Sequence, residues 1–186
     1  RDNTYDSVTA ALKNGYRHLD TAPLYKNLEQ VGLAIKNSGV DRKSIFVTTK
    51  ISRNELKENK IKESINDSIK KLQLDYIDLV LLHEPINYEE NWDLLCGYKE
   101  KEGKNVVRNI GVSNFNSQHL KTISDLTTPY CNQIEINPFL RRNDIVSYCN
   151  KNKIKIVAHS PLAKGEKLEH PELTYLSCKL NVSSSQ

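Results

Sequence analysis

Six short, mostly apolar runs, at 16–21, 44–50, 76–83, 109–113, 131–136 and 155–159, alternate with seven stretches whose apolar residues recur every third or fourth position. The latter lie at 4–14, 28–36, 58–74, 92–101, 118–126, 143–150 and 171–180. The first kind reads as strand and the second as helix. Residues 76–83 (YIDLVLLH) form the most continuous apolar strand. In 58–74, Ile61, Ile65, Ile69 and Leu72 fall on one helical face, with lysine and glutamate opposite. Strands alternating with helices imply βαβ crossovers and a parallel sheet. No linker or low-complexity stretch interrupts the series, so 1–186 reads as a single domain. The pattern fits both a doubly wound sheet of six strands and part of an eight-stranded barrel.

The composition excludes several function classes. A net charge of +4 is scattered, without the basic run that nucleic-acid binding favours, so no nucleic-acid partner is expected. Cys96, Cys131, Cys149 and Cys178 form no CxxC pair and have no metal-ligand spacing, which reads as reduced thiols and no metal site. No apolar run reaches the length of a membrane span and no signal peptide opens the chain, so a cytoplasmic protein without a membrane partner is expected. The absence of methionine and the opening at Arg1 read as an internal piece of a longer protein.

The polar residues cluster at strand ends. The run HLD ends at Asp20, IFVTTK at Lys50, YIDLVLLH at His83, and KIVAHS at His159 and Ser160. IGVSN places Ser113 and Asn114 at its end, whereas CNQIEI carries Gln133 and Glu135 inside it. In a parallel barrel every strand C-terminus opens on one face, where active sites are built. A carboxylate, an ammonium, two imidazoles and several amides then converge from distant positions. One polar residue at a strand end is ordinary, and the joint pattern carries the weight. Neither GxGxxG nor GxxxxGK follows any strand, which speaks against a Rossmann-type nucleotide site.

Gly-Tyr-Arg-His-Leu-Asp-Thr-Ala at 15–22, with Tyr25, Asn27, Val31 and Gly32 after it, resembles the first signature of the aldo-keto reductases. Thr-Thr-Lys at 48–50, Leu-Leu-His at 81–83, Ile-Gly-Val-Ser-Asn-Phe at 110–115, Asn-Gln-Ile-Glu at 132–135 and Ser-Pro-Leu at 160–162 follow in the family's order. The resemblance covers essentially the whole chain. It implies a (β/α)8 TIM barrel, NADPH or NADH as cofactor, and reduction of a small-molecule carbonyl substrate to an alcohol. It further implies a catalytic tetrad of Asp20, Tyr25, Lys50 and His83. Tyr25 is then the general acid: a free phenol holds its proton well above neutrality, and a neighbouring ammonium favours the phenolate. Asp20 holds Lys50, and His83 orients the substrate oxygen. For the cofactor the resemblance implies Asp20, Ser113, Asn114 and Gln133 around the nicotinamide, His159 stacked where most members have tyrosine, and Ser160 and Leu162 near the pyrophosphate.

The sequence departs from the family pattern at several points. Leu28 replaces a usual glutamate, and Glu84 stands where many members have a tryptophan lining the substrate pocket. The segment between Trp92 and Ile110 is about two residues longer than the pattern, around Asn105-Val106, by count on the sequence. The first and last barrel strands are expected to be missing, together with the basic segment that sets the choice between NADPH and NADH. Such a chain alone is expected to be unstable. Two alternatives stay open: a cofactor-binding regulatory subunit on the same fold, and an inactive truncated copy. The oligomeric state is not legible.

Overall fold

The computed structural model describes residues 3–102 and 105–186. In chain order its regular elements are α1 (Thr4–Lys13), β1 (His18–Asp20), α2 (Leu28–Asn37), β2 (Phe46–Ile51), α3 (Arg53–Lys57) and α4 (Ile61–Leu72). They continue with β3 (Ile77–Leu82), α5 (Tyr88–Lys101), β4 (Val107–Ser113), α6 (Ser117–Ser124), β5 (Cys131–Glu135), α7 (Asn143–Lys151), β6 (Lys155–His159) and α8 (Pro171–Leu180). Short 3-10 turns occupy Pro23–Tyr25, Arg42–Ser44 and Ala163–Gly165.

The six strands form one parallel sheet in the order β1-β2-β3-β4-β5-β6. A doubly wound sheet reverses direction part-way along its strand order. Here each strand is added beside its predecessor, as in a barrel wall. The sheet also curls. Asp20 on β1 and Gln133 on β5 are separated by three strands, yet Gln133 Nε2 donates to Asp20 Oδ2 at 2.7 Å. In a flat sheet those strands lie roughly 19 Å apart. The architecture is therefore a partial (β/α)8 barrel, as expected, and the doubly wound alternative falls away.

Alternation along the strands separates two cores. Val47, Val80, Leu82, Ile110, Val112 and Ile134 face outward and pack under the helices. Leu79, Leu81 and Cys131 face the concave side, with Phe46, Tyr130 and Val157 packed against them. Helix α4 buries Ile61, Ile65 and Leu72 along one stripe. It meets α2 at Gly32, where a Cβ would lie 2.1 Å from the Leu72 carbonyl oxygen, so only glycine permits this approach. The edge strands are less covered: β1 and β6 are mostly exposed or half-buried, whereas β3 is buried throughout.

Several boundaries differ from the sequence expectation. The helix expected over 58–74 starts only at Ile61, because Asn59 adopts a left-handed conformation (φ 54°), and a short helix the sequence did not suggest, α3, precedes it. Helix α5 starts a turn early, at Tyr88, with Glu89 and Glu90 complementing its N-terminal dipole. Strand β1 is shorter than 16–21, while β4 extends back to Val107. Helix α8 stands off the sheet with no buried residue, leaving Tyr175, Leu176 and Leu180 exposed. Among the described residues no helix is long and apolar enough to cross a membrane.

Candidate active site

The C-terminal ends of the strands hold a connected polar cluster. Its centre is Lys50, the fifth residue of β2, whose side chain is 1% exposed although charged. A buried ammonium needs a counter-charge. Asp20 Oδ1 accepts from Lys50 Nζ, and the Thr21 carbonyl oxygen accepts from it at 3.2 Å. The other carboxylate oxygen of Asp20 takes the Gln133 amide. One aspartate thus joins β1, β2 and β5.

Tyr25 enters from the turn that follows β1. Pro23 begins this 3-10 turn and Lys26, in a left-handed conformation (φ 54°), closes it. Thr21 Oγ1 donates to Asn27 Oδ1 at 2.7 Å and braces the turn from beneath. The Tyr25 ring then lies between two groups. Lys50 Nζ is 5.1 Å from its centroid, and the His83 ring meets it edge-on at 6.1 Å between centroids.

His83 follows β3 and is half-buried. Burial, then the Lys50 charge, holds its imidazole below the ordinary histidine value, with Glu84 and Asp20 opposing and His159 assisting weakly. The ring is therefore neutral near neutral pH. Its Nδ1 is buried without a hydrogen-bond partner among the described residues. An unpartnered lone pair costs less than an unpartnered N–H. A proton on Nε2 leaves only this lone pair unpartnered.

Asn114, in a left-handed conformation (φ 63°) just after β4, ties three strand ends together. Its Nδ2 donates to the His83 carbonyl oxygen at 3.0 Å and to Ser113 Oγ at 3.2 Å. Its Oδ1 lies 3.1 Å from His159 Nε2. An amide oxygen only accepts, so His159 Nε2 is protonated, and the Ser160 hydroxyl at 3.4 Å faces the lone pair on Nδ1. Burial is the main cause holding His159 below the ordinary imidazole range; Lys50 and Lys164 add to it, while Glu135 and Asp20 oppose it. Ser113 Oγ donates to the Gln133 carbonyl oxygen at 2.8 Å.

The unused valences define what this cluster can hold. Asn114 Oδ1 keeps one lone pair, Gln133 Oε1 has no internal bond among the described residues, and Gln133 Nε2 keeps one N–H. Two acceptors beside one donor complement a primary carboxamide, the polar group of nicotinamide. The residues present therefore fit the nicotinamide cofactor. No group of metal-ligating residues occurs among the described residues. Thiol chemistry is disfavoured: burial first, and then Asp20, pushes the Cys131 thiol up to about 12.

The profile of the Aldo/keto reductase family matches residues 1–171. The chain belongs to this family. Glyoxal reductase of Bacillus subtilis is 40% identical over 97% of the chain. Methylglyoxal reductase DkgA of Escherichia coli O157:H7 is 41% identical over 87%. The chain spans 66% and 59% of the lengths of these two relatives. Among solved structures, a Bombyx mori aldo-keto reductase in complex with NADP superposes with a TM-score of 0.89. That match has 33% identity and covers 98% of this chain and 67% of the other.

Of the aldo-keto reductase positions expected from sequence, Asp20, Tyr25, Lys50, His83, Ser113, Asn114, Gln133, His159 and Ser160 form this one network. Leu162 does not join it. That residue is 46% exposed and lines a separate, largely apolar cavity of about 350 Å³ with Phe139, Leu173 and Leu176. Leu28 opens α2 and is buried in the outer core. Sequence reasoning missed two supports, the Thr21 carbonyl and the Thr21–Asn27 brace. A backbone carbonyl leaves no trace in a residue pattern.

Proposed function

We propose that this protein reduces aldehydes and ketones to alcohols with a nicotinamide cofactor, and that Tyr25 is its general acid. The observation that carries the reading is the Tyr25 ring set between the buried Lys50 ammonium and the neutral His83. A bound NADPH or NADH supplies the hydride. His83 Nε2–H orients the carbonyl oxygen and stabilises negative charge on it. Tyr25 hands its phenolic proton to that oxygen, and the adjacent Lys50 stabilises the phenolate left behind. Asp20 fixes Lys50 against this ring. Gln133, Asn114 and Ser113 hold the nicotinamide carboxamide, His159 and Ser160 flank it, and Leu162 lies further out along the cofactor.

The names of the relatives, glyoxal reductase and methylglyoxal reductase, support short carbonyl substrates. Four unpaired cysteines, three of them buried, support a reducing compartment, the cytoplasm. The uninterrupted sheet supports 1–186 as part of one barrel domain.

The test uses the full-length protein and follows NADPH and NADH absorbance with propanal, beside Tyr25→Phe. Cofactor binding is read separately by fluorescence. The expected result is turnover by the wild type that falls about 10³-fold in the variant with binding unchanged. Equal turnover by both removes the acid role from Tyr25. Tight cofactor binding without wild-type turnover points to a regulatory subunit.

A further inference from the structure

Asn132 takes no part in the chemistry above, yet it is fully buried, which an amide tolerates when its hydrogen bonds are made. It precedes Gln133 on β5, so alternation turns its side chain to the opposite face, under the helices. There it grips one residue by both backbone groups. Its Nδ2 donates to the Phe115 carbonyl oxygen at 2.8 Å, and its Oδ1 accepts the Phe115 N–H at 3.4 Å. Phe115 follows Asn114 directly and is itself buried, its ring edge-on to Tyr88 and His119. On the near side of the turn, the Asn114 N–H donates to the Gln133 carbonyl oxygen at 2.9 Å. The ladder between β4 and β5 ends at Ser113 and Gln133, where Asn114 turns left-handed (φ 63°). That conformation is uncommon for any residue but glycine. The Asn132 amide holds the chain just beyond it.

We propose that Asn132 is a positioning residue for the nicotinamide cofactor: by clamping Phe115 it fixes the direction in which the Asn114 amide presents its free lone pair. The inference rests on the reductase reading above. Asn114 Oδ1 is one of the two acceptors offered to a carboxamide, beside Gln133 Oε1. An asparagine side chain is short, so its aim follows the backbone that carries it. Replacing Asn132 by an apolar residue withdraws two bonds from a buried backbone, which has then to move to recover them. A small rotation at Asn114 suffices, and it swings the amide off the carboxamide. Asn132 lies across the sheet from Lys50 and Gln133, so it acts through the turn and not by contact.

The full-length protein is titrated calorimetrically with NADP+ and with its 3-acetylpyridine analogue, in which a methyl group replaces the carboxamide NH2. Wild type, Asn132→Leu, Asn132→Ser and Asn114→Ala are compared by the ratio of the two dissociation constants. A partly unfolded variant loses affinity for both nucleotides by the same factor, so the ratio reports the aim of the amide and not stability. The wild type is expected to bind NADP+ about tenfold more tightly than the analogue, through the carboxamide hydrogen bonds. In both Asn132 variants the ratio is expected to fall to about twofold, as in Asn114→Ala. Adding Asn132→Leu to Asn114→Ala is expected to change it no further. A ratio that keeps its wild-type value in both Asn132 variants overturns this inference and leaves the reductase reading standing. A wild-type ratio near one also overturns it, while turnover of propanal by the same preparation keeps the reductase reading separate. A wild type that binds neither nucleotide overturns both.

Discussion

Lys50 is the residue on which the site depends, and its energetics separate stability from function. It is buried, while its partner Asp20 is one-third exposed. Lys50→Met removes the buried charge and fills the space with an apolar chain, leaving Asp20 a route to solvent. We expect a stability change within about 1 kcal/mol and a loss of turnover of at least about 10²-fold. Asp20→Asn leaves the ammonium buried without a counter-charge, and we expect about 2 kcal/mol of destabilisation besides the lost activity. Urea unfolding and kcat/KM on the same preparations check both. The two imidazoles add a pH dependence. His83 and His159 are both held below the ordinary histidine value. As pH falls, the unfolded chain therefore takes up these protons before the folded one does. Their contribution is intact above about pH 6.5 and is lost progressively as pH falls toward the lowered native values. The urea midpoint is expected to drop between about pH 7.5 and 5.5, and to drop less in His83→Gln.

At the scale of elements, two joints hold the helical layer and the strand N-termini in register. Gly32 is one. Gly32→Ala forces α2 and α4 apart, because the new Cβ meets a backbone oxygen rather than a flexible side chain. A loss of about 3 kcal/mol is expected, measured as a shift in the urea midpoint at constant m-value. Asp78 on β3 is the other. It is 3% exposed, pairs with Arg42 at 2.8 Å, and accepts the Val47 N–H at 3.0 Å, joining β2 to β3. Arg42 and Arg108 also flank the Tyr76 ring at 4.0 and 3.7 Å. Asp78→Ala leaves the buried Val47 N–H without its acceptor and Arg42 and Arg108 without their counter-charge, and about 3 kcal/mol of destabilisation is expected with kcat unchanged. A large drop in kcat at full folding would place Asp78 in the site instead.

At the scale of the molecule, the curled sheet leaves β1 and β6 as edges with no further strand among the described residues. Parallel edges with free N–H and C=O groups recruit other strands. The apolar side chains of α8 add to the uncovered surface. The 186-residue chain on its own is therefore expected to self-associate with rising concentration in sedimentation velocity. A monomer that unfolds cooperatively in urea contradicts this.

The sequence alone settled the alternation of strand and helix, because side-chain periodicity is a local property of the backbone. It also placed Asp20, Lys50, His83 and Asn114 at strand ends, since an apolar run has to stop where the sheet meets solvent. Tyr25 was legible through its place in an ordered set of motifs, but its position was not, because the turn carrying it depends on a left-handed Lys26 and on the Thr21–Asn27 brace. The late start of α4 was hidden for the same reason: one backbone angle at Asn59 separates it from α3, and side-chain periodicity does not record that angle. Periodicity left a doubly wound sheet and a barrel wall both open; the ordered motifs implied the barrel through their resemblance, and the tertiary structure showed it. That choice depends on which strands meet, and the bond from Gln133 to Asp20 spans 113 positions in sequence. It also decided that Leu162 faces a different cavity. Contacts between distant residues are fixed by the curvature of the sheet, and no local pattern of side chains encodes that curvature.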